Sequence, residues 1–309
     1  MNPDFENLYK DLGPVMQRLE AHRIALKMKG TRSGLISGGM LFIFLCLFSL
    51  YIQAGYMGVV LSLLLAIVTL VCCINAKSKE LSLYYKNNVI SEVVRQFCDE
   101  ASFSPDMGIS ESAFNDCGLF VTAPDRYYSE DLIMGRIDKT VFSCSEIVAE
   151  EKRMTTDGRG HVQEYWVTIF KGFFFIADFH KDFVGSTLIC RSSWLKLRKG
   201  LKRVRLENPA FEKKFDTFST DQIEARYIVS PGLMERVLEL DSKFPGKIIL
   251  SFYESKVVIA IPDSTNHFEA SIWRSQLSRN RIQKEFVTLE KLTGIVKDLN
   301  LNVRIWSKV

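Results

Sequence analysis

The sequence predicts an α+β protein in which an N-terminal, two-span transmembrane helical hairpin precedes a cytosolic domain of mixed strands and helices. Two observations predict this class. A run of 44 residues, 33–76, contains no Asp, Glu, Lys or Arg. Beyond residue 104, short apolar and aromatic stretches alternate with turn signals and a few helical patterns, which is typical of strands grouped around helices.

The uncharged run has room for two membrane crossings. A helix rises about 1.5 Å per residue, and the hydrocarbon core is about 30 Å thick, so each crossing needs roughly 20 residues. Residues 34–53 and 57–75 satisfy this length. The polar segment Gln53-Ala54-Gly55-Tyr56 between them is long enough only for a tight turn.

The charges beside the two spans predict their orientation. Five basic residues lie within the 15 residues before residue 33, three more follow residue 76, and the connecting turn has none. Lys and Arg are enriched on the cytoplasmic side of membrane spans. We therefore expect both termini in the cytoplasm. The flanking basic residues are Arg18, Arg23, Lys27, Lys29, Arg32, Lys77, Lys79 and Lys86.

Residues 1–32 are predicted to form a cytosolic amphipathic segment. Its apolar residues recur at three-, four- and seven-residue steps, and Gly13-Pro14 divides it, so two short helices are expected. Two interpretations stay open. The segment either lies on an anionic leaflet or packs against the cytosolic domain.

Two further helical features concern the spans. Gly34 and Gly38 form a small-xxx-small motif, which allows close approach either to another chain or to the second span. Residues 77–104 contain neither Gly nor Pro, and every fourth residue from 81 to 97 is apolar: Leu81, Tyr85, Val89, Val93 and Phe97. The second span is therefore expected to continue as an amphipathic stalk helix that ends before Pro105.

Residues 105–309 form the predicted α+β domain. Hairpins are expected around 156–160 and around Glu254-Ser255, and Asn208-Pro209 and Ser230-Pro231 signal helix starts. Residues 125–131 are interpreted as a Tyr-rich loop. The predicted strands are 141–153, 162–170, 173–179, 187–191, 203–206, 223–229, 247–253, 256–262 and 303–306, with a last helix near 281–299.

Composition favours a reduced compartment and disfavours several functions. Residues 77–309 carry 34 basic and 32 acidic residues, so nucleic acid is not an expected partner. The seven cysteines form neither a zinc spacing nor a disulfide framework. The chain lacks nucleotide-binding glycine loops, a GxSxG elbow, an HExxH helix and an EF-hand, so no cofactor is expected and enzymatic activity is disfavoured.

Asp178 and His180 are weak candidate metal ligands. Alternate residues of a strand share a face about 6.6 Å apart, so Asp178, His180 and Asp182 would align. The outer pair would be about 13 Å apart, so a single metal needs a ligand from elsewhere. The favoured interpretation is a polar strand end leaving the core.

The stretch 194–205 contains six basic residues and no acid. It is either a lipid-headgroup patch, in which each charge near an anionic leaflet contributes about 1 kcal/mol, or a solvated loop. The candidate headgroup ligands are Lys196, Arg198, Lys199, Lys202, Arg203 and Arg205.

Five stretches of the sequence are specific in their order and spacing: Tyr128-Ser129-Glu130-Asp131 with Gly135, Phe170-Lys171-Gly172-Phe173-Phe174, Asp178-Phe179-His180-Lys181, 211–216 and 225–231. Together they resemble a bacterial membrane-protein family known as domain of unknown function 3137. The resemblance extends over nearly the whole chain and implies a bacterial inner-membrane protein with a cytosolic domain, without an established activity. The order of strands and the terminal helix is also similar to that of pleckstrin-homology-like barrels.

These observations favour a membrane-anchored binding or scaffolding module whose partners are the lipid bilayer and either another protein or a second copy. Two alternatives stay open. One is a membrane-tethered, metal-dependent enzyme or hydrolase that uses Asp178 and His180. The other is an accessory subunit of a membrane complex, with Gly34 and Gly38 against another helix.

Overall fold

The computed structural model describes residues 5–53, 55–156, 158, 161–191, 200–244 and 247–301. These residues divide into two compact units. The first contains 5–93 and 267–286, and the second contains 94–266 and 287–301.

Two long helices dominate the first unit. Helix α1 spans Phe5–Tyr51 and helix α2 spans Gly55–Tyr85. Gln53 and Gly55 have φ values of 54° and 61°, and the tight turn predicted between the spans is confirmed. Both helices are long and apolar enough to cross a membrane.

Helix α1 runs without a break through Pro14. The prediction of two short helices divided at Gly13-Pro14 is therefore wrong. Proline in a helix interior removes one hydrogen bond and costs about 3 kcal/mol or more. Burial of an apolar stripe before and after Pro14 offsets this cost. The buried stripe consists of Leu8, Leu12, Met16, Leu19 and Leu26.

The apolar residues of the two predicted spans lie mainly on the outside. Only 17% and 6% of the residues are buried in the most apolar windows of the first and second helix. Phe44 is 66% exposed and Leu63 is 53% exposed. The core helix of a soluble protein has the opposite distribution, because its apolar residues are covered by protein.

Three glycines form the seam between the two helices. A Cβ atom at Gly34 would lie 2.6 Å from Leu70 Cδ1 and 3.0 Å from Leu70 Cα, and one at Gly38 would lie 2.8 Å from the Ala66 carbonyl oxygen. At Gly30 it would lie 3.3 Å from Lys77 Cγ. The small-xxx-small motif is therefore occupied by the second helix of the same hairpin.

The predicted stalk helix is shorter than expected. After α2 the chain forms a π-helical segment, Lys86–Ile90, and a short helix α3, Ser91–Arg95. The helix does not reach residue 104, because residues 99–104 pair with a neighbouring strand instead. Four members of the predicted apolar row are buried, Leu81, Tyr85, Val89 and Val93, and the fifth, Phe97, is half-buried.

Segment 267–286 is held within the first unit by polar contacts. Arg23 Nη1 donates to the Ile272 carbonyl at 2.8 Å, and the Gln276 amide donates to Glu20 Oε2 at 2.8 Å. The buried ammonium group of Lys86 lies 2.9 Å from Glu269 Oε1, and Ser82 donates to the same carboxylate. Because a buried charge is costly without a partner, these pairs fix the segment against the helices.

The second unit is built on a nine-stranded sheet whose described pairings are all antiparallel. The order is β1-β2-β3-β4-β9-β8-β5-β7-β6. The strands are β1 Asp99–Ser104, β2 Arg126–Ile137, β3 Thr140–Thr156, β4 Val162–Asp178, β5 Thr187–Cys190, β6 Lys202–Val204, β7 Asp216–Ser219, β8 Ile249–Tyr253 and β9 Lys256–Pro262.

The sheet is open, with β1 and β6 at its edges. The expected pleckstrin-homology-like barrel is therefore wrong, since a barrel has no edge strands. The mixed α+β class is confirmed. Within the described residues, the further helices are α4 Glu111–Asp116, α5 Pro209–Lys214, α6 Gln222–Ile228, α7 Pro231–Lys243 and α8 Arg279–Asp298, of which α8 contributes residues 279–286 to the first unit.

Some predicted elements differ from the observed ones. Residues 125–131 are mostly strand β2 rather than a loop, and residues 223–229 are mostly helix α6 rather than a strand. Asp221 caps α6 by accepting from the amides of Ile223 and Glu224 at 2.7 and 3.1 Å. The two strands predicted at 162–170 and 173–179 are one strand, β4. The predicted strand 303–306 lies outside the described residues.

Strand β4 provides much of the core, and both of its faces are buried along 173–175. On one face, Phe174 and Phe170 pack with Phe114 of α4, at ring-centroid distances of 5.4 and 6.3 Å from Phe114. On the other, Phe175 stacks on Phe142 at 5.4 Å. Central strands buried on both faces are uniformly apolar, which explains this aromatic run.

We expect Gly34→Val to lower the thermal unfolding midpoint of the detergent-solubilised chain. Its side chain would collide with the Leu70 backbone, and overpacking costs about 1–3 kcal/mol. Gly39→Val is the matched control, because a Cβ at Gly39 meets nothing within 4 Å. Equal midpoints for the two variants would contradict the glycine seam.

Candidate functional site

A cavity of 320 Å³ in the second unit lies where β4 ends and α7 begins. The segment after β4 lines one side, the end of α6 and the start of α7 line another, and the residues after α8 complete it. The lining residues are Phe179, His180, Lys181, Ile228, Ser230, Gly232, Leu233, Arg236, Leu299 and Asn300.

The first turn of α7 faces this cavity. Ser230 occupies the N-cap position with extended backbone and Pro231 follows at the first helical position, but the Ser230 side chain makes no capping hydrogen bond. A Cβ at Gly232 would meet nothing within 4 Å. Helix N-termini carry unsatisfied amide groups and a partial positive charge. This side of the cavity therefore favours negative charge.

The charged side chains around the cavity have the same preference. Lys181 Nζ donates to the Tyr227 carbonyl and lies 4.5 Å from the centroid of the Tyr227 ring. Arg236 Nη1 donates to the Asp298 carbonyl at 3.4 Å. None of the ten lining residues is a carboxylate. Both cations contact carbonyl oxygens in these pairs, so neither positive charge is neutralised there.

His180 is the imidazole of the site. Its Nδ1 atom is buried and makes no hydrogen bond among the described residues, and its ring lies 4.6 Å from that of Phe179. Burial, and secondarily the charge of Lys181, lower the pKa of His180. Burial also lowers the pKa of Lys181. An anion in the cavity would favour the protonated forms of both groups.

The structure does not extend β4 through the predicted metal candidates. The strand ends at the exposed Asp178, so His180 and Asp182 follow it in a loop. Ser255 Oγ lies 3.2 Å from Asp182 Oδ1 and donates to it. Among the described residues, Asp178 and His180 join no group of three potential metal ligands. His180 instead lines the cavity.

A second feature is a cluster of three carboxylates, Glu130, Asp131 and Glu146. The sequence did not indicate that these three residues lie together. Their carboxylate ligand atoms all lie within 4.8 Å of one another. The β2–β3 register shifts between Glu130 and Ile133, and Asp131 has a φ of 59°. Carboxylate oxygens suit Ca²⁺ or Mg²⁺, but acidic proximity alone does not define a cation site, and we assign none here.

The candidate headgroup residues are only partly described. Lys196, Arg198 and Lys199 lie outside the described residues. Lys202 and Arg205 are exposed, whereas Arg203 pairs with Asp216 and lies 3.6 Å from Glu212. Arg203 is therefore engaged within the sheet, and Lys202 and Arg205 are the better-placed members of this group.

The fold and the cavity define a class: an α+β protein with two candidate membrane helices and an open antiparallel sheet that carries a small, cation-lined cavity. Residues 168–301 match the sequence profile of a family described as "Protein of unknown function (DUF3137)". This match confirms the predicted resemblance over that part of the chain, which includes all the cavity-lining residues.

Other comparisons add little. No match is found among curated proteins. The crystal structure of the mycobacterial trehalose monomycolate transport factor A, TtfA, aligns at 6% sequence identity with a TM-score of 0.36. The alignment covers 67% of this chain and 92% of that chain. A likeness at this level carries no inference about function.

The site could be foreseen only in part. His180 was singled out from the sequence, and Ser230-Pro231 was identified as a helix start. Lys181 and Arg236 were not recognised as partners, because 55 positions separate them in the chain. Besides His180, the sequence signal for the site is the Ser230-Pro231 helix start, which Arg236 follows within the same helix.

We expect His180→Gln to reduce the loss of stability on acidification. Because the folded chain lowers the pKa of His180, the unfolded chain binds its proton first as the pH falls below about 6.5. The free energy of unfolding therefore decreases with falling pH, because burial and, secondarily, the charge of Lys181 oppose protonation of His180 in the folded state. Thermal unfolding midpoints between about pH 7 and pH 5 measure this effect.

The exposed histidine variant His161→Gln is the control for this series. His180→Gln should alter the dependence of the unfolding midpoint on pH more than His161→Gln does. An identical dependence in wild type and His180→Gln would contradict the proposed burial of a neutral imidazole at position 180.

Proposed function

We propose that this protein is a membrane-anchored binding module of the bacterial inner membrane, with an α+β domain in the cytosol. One observation carries the proposal: the hairpin of α1 and α2 exposes large apolar side chains over its uncharged length. The resemblance to a bacterial membrane-protein family supports the same location.

The energetics favour a lipid environment for the hairpin. Fully burying one Leu, Ile or Phe side chain stabilises a protein by about 1.5–3 kcal/mol relative to exposing it to water. The exposed apolar surface is therefore strongly unfavourable in water and favourable in hydrocarbon. Helical backbone satisfies its own hydrogen bonds, as a lipid environment requires. Four exposed side chains of this surface are Leu35, Ile43, Leu47 and Leu64.

The proposed orientation rests on the basic residues beside the spans. They cluster before residue 33 and after residue 76, whereas 51–56, around the turn, contain none. This asymmetry supports cytoplasmic termini and an external turn. The rule counts Lys and Arg near the ends of the spans, so it does not depend on the near-neutral charge of the rest of the chain.

The alternatives receive less support. The metal-dependent enzyme would need a third ligand near Asp178 and His180, and the described residues supply none within a potential metal group. The accessory-subunit alternative relied on Gly34 and Gly38 as a face for another helix. Both glycines instead contact Leu70 and Ala66 of the same hairpin.

We expect the full chain to stay in the membrane pellet after alkaline carbonate extraction, because extraction releases proteins held only by polar contacts. A cytosol-active reporter fused after Val309 should be active, and an externally active reporter inserted after Gln53 should also be active. Release into the supernatant would contradict anchoring, and the reverse pattern of reporter activity would contradict the orientation.

The proposed lipid contact of the basic stretch rests on the exposed Lys202 and Arg205. In nanodiscs that contain phosphatidylglycerol, amide exchange over 200–206 should be slower than in neutral nanodiscs. The double variant Lys202→Glu/Arg205→Glu should remove the difference, since each charge near an anionic surface contributes about 1 kcal/mol. Lys213→Glu, at another exposed position, is the control. Equal exchange in both lipids would reject the patch.

A partner at the domain surface, either another protein or a second copy of this chain, is the remaining part of the proposal. The nearly balanced charge of 77–309 supports such a partner over nucleic acid.

A further inference from the structure

We propose that the cavity between the end of β4 and the start of α7 binds the phosphate group of a small phosphate ester. The inference goes beyond membrane anchoring and does not depend on it. It rests on the hydrogen-bond donors that line the cavity, on the absence of carboxylates among the described lining residues, and on the volume of the cavity.

The cavity offers hydrogen-bond donors from several directions. Arg236 presents a guanidinium group with five N–H donors, of which one contacts the Asp298 carbonyl. Lys181 presents an ammonium group with three donors, of which one contacts the Tyr227 carbonyl. The Ser230 hydroxyl makes no cap and the first turn of α7 adds backbone amides. Among the described residues that line the cavity, none supplies an acceptor oxygen with negative charge.

This donor set favours phosphate over a carboxylate. A carboxylate has two oxygens in one plane and is satisfied by a single bidentate arginine. A phosphate monoester has three terminal oxygens and can accept from a guanidinium, an ammonium group and a helix N-terminus together. The donors come from two elements, Lys181 from the loop after β4 and both Arg236 and the first-turn amides from helix α7, and such a set suits one tetrahedral group better than a planar one.

The remaining walls limit the rest of the ligand. The volume of 320 Å³ lies at the lower end of small-molecule sites, which range over about 300–1,000 Å³. Phe179, Ile228, Leu233 and Leu299 supply apolar surface. A three-carbon or sugar phosphate fits this description, whereas a dinucleotide is too large. The same chemistry is found in the headgroup of a glycerophospholipid and in a free metabolite.

The test uses the full chain in detergent and three probes: inorganic phosphate, glycerol 3-phosphate and a short-chain phosphatidic acid. Calorimetry measures the dissociation constant of each probe. Three variants address the site: Arg236→Gln, Lys181→Gln and Gly232→Leu. The last one is expected to fold, because a Cβ at Gly232 meets nothing within 4 Å, and its side chain would occupy part of the cavity that Gly232 lines. Lys213→Gln removes one exposed charge elsewhere and is the control.

We expect glycerol 3-phosphate or phosphatidic acid to bind wild type and Lys213→Gln equally. Arg236→Gln and Lys181→Gln should each weaken binding about tenfold or more, as the loss of charge-assisted hydrogen bonds does, and Gly232→Leu should abolish it. Glycerol 3-phosphate binding as tightly as the lipid identifies a soluble ester as the source, and binding of the lipid alone identifies a headgroup.

No binding of any probe to wild type, or equal binding by wild type and Gly232→Leu, would overturn the inference. Unfolding midpoints without ligand, measured for every variant, distinguish a lost site from a lost fold. Because carbonate extraction and reporter activity do not involve the cavity, failure of this inference leaves the anchoring proposal intact, and the reverse also holds.

Discussion

Hydrogen bonding of the backbone is the constraint on which the first unit depends. A segment of 44 uncharged residues can avoid water only if every amide and carbonyl group finds a partner within the segment. Two helices meet this requirement and turn back at Gln53 and Gly55, whose positive φ values reverse the chain in a few residues. The glycine seam then lets the two helix backbones approach closely enough for dispersion forces to hold them together.

The second unit solves a different problem, because an open sheet must be covered on its apolar faces. The central strand β4 is apolar on both sides, and α4 packs on one side through Phe114. Edge strands β1 and β6 are short, at six and three residues, which limits the unpaired backbone available to other chains. The cavity lies beyond the end of β4, where the chain has left the sheet and polar side chains such as His180 and Lys181 line the cavity.

The sequence predicted the elements whose signals are local. The two helices of the uncharged run, the paired strands on either side of 156–160 and the cap at Asn208 each depend on residues adjacent in the chain, and all three are found. Strand β2 and helix α6 were not predicted. The many polar residues at the start of β2 suggest a loop, and the β-branched residues of α6 suggest a strand. Asp221 is a helix-cap signal for α6, whereas the composition of 223–229 favours a strand. The helix buries Ala225 and Ile228, and this packing favours the helix over the strand.

The cavity was the least predictable part, for a physical reason. Its cations Lys181 and Arg236 are 55 positions apart in the chain and line one cavity only in the folded domain. The order of strands in the sheet differs from their order in the chain, since β4 is followed by β9, β8 and β5. Local propensity carries no information about that order. His180 was noticed for its chemistry, but the strand geometry assigned to it was wrong, since β4 ends two residues earlier.

The glycine seam has a consequence for the lipid contacts of the proposed membrane hairpin. Because α2 covers Gly30, Gly34 and Gly38, the outer surface of the two helices consists mainly of bulky Leu, Ile, Phe and Val side chains. In a bilayer these side chains would mix with acyl chains as readily as with one another. The groove that these three glycines form is already filled, so a helix of a neighbouring copy would find it occupied.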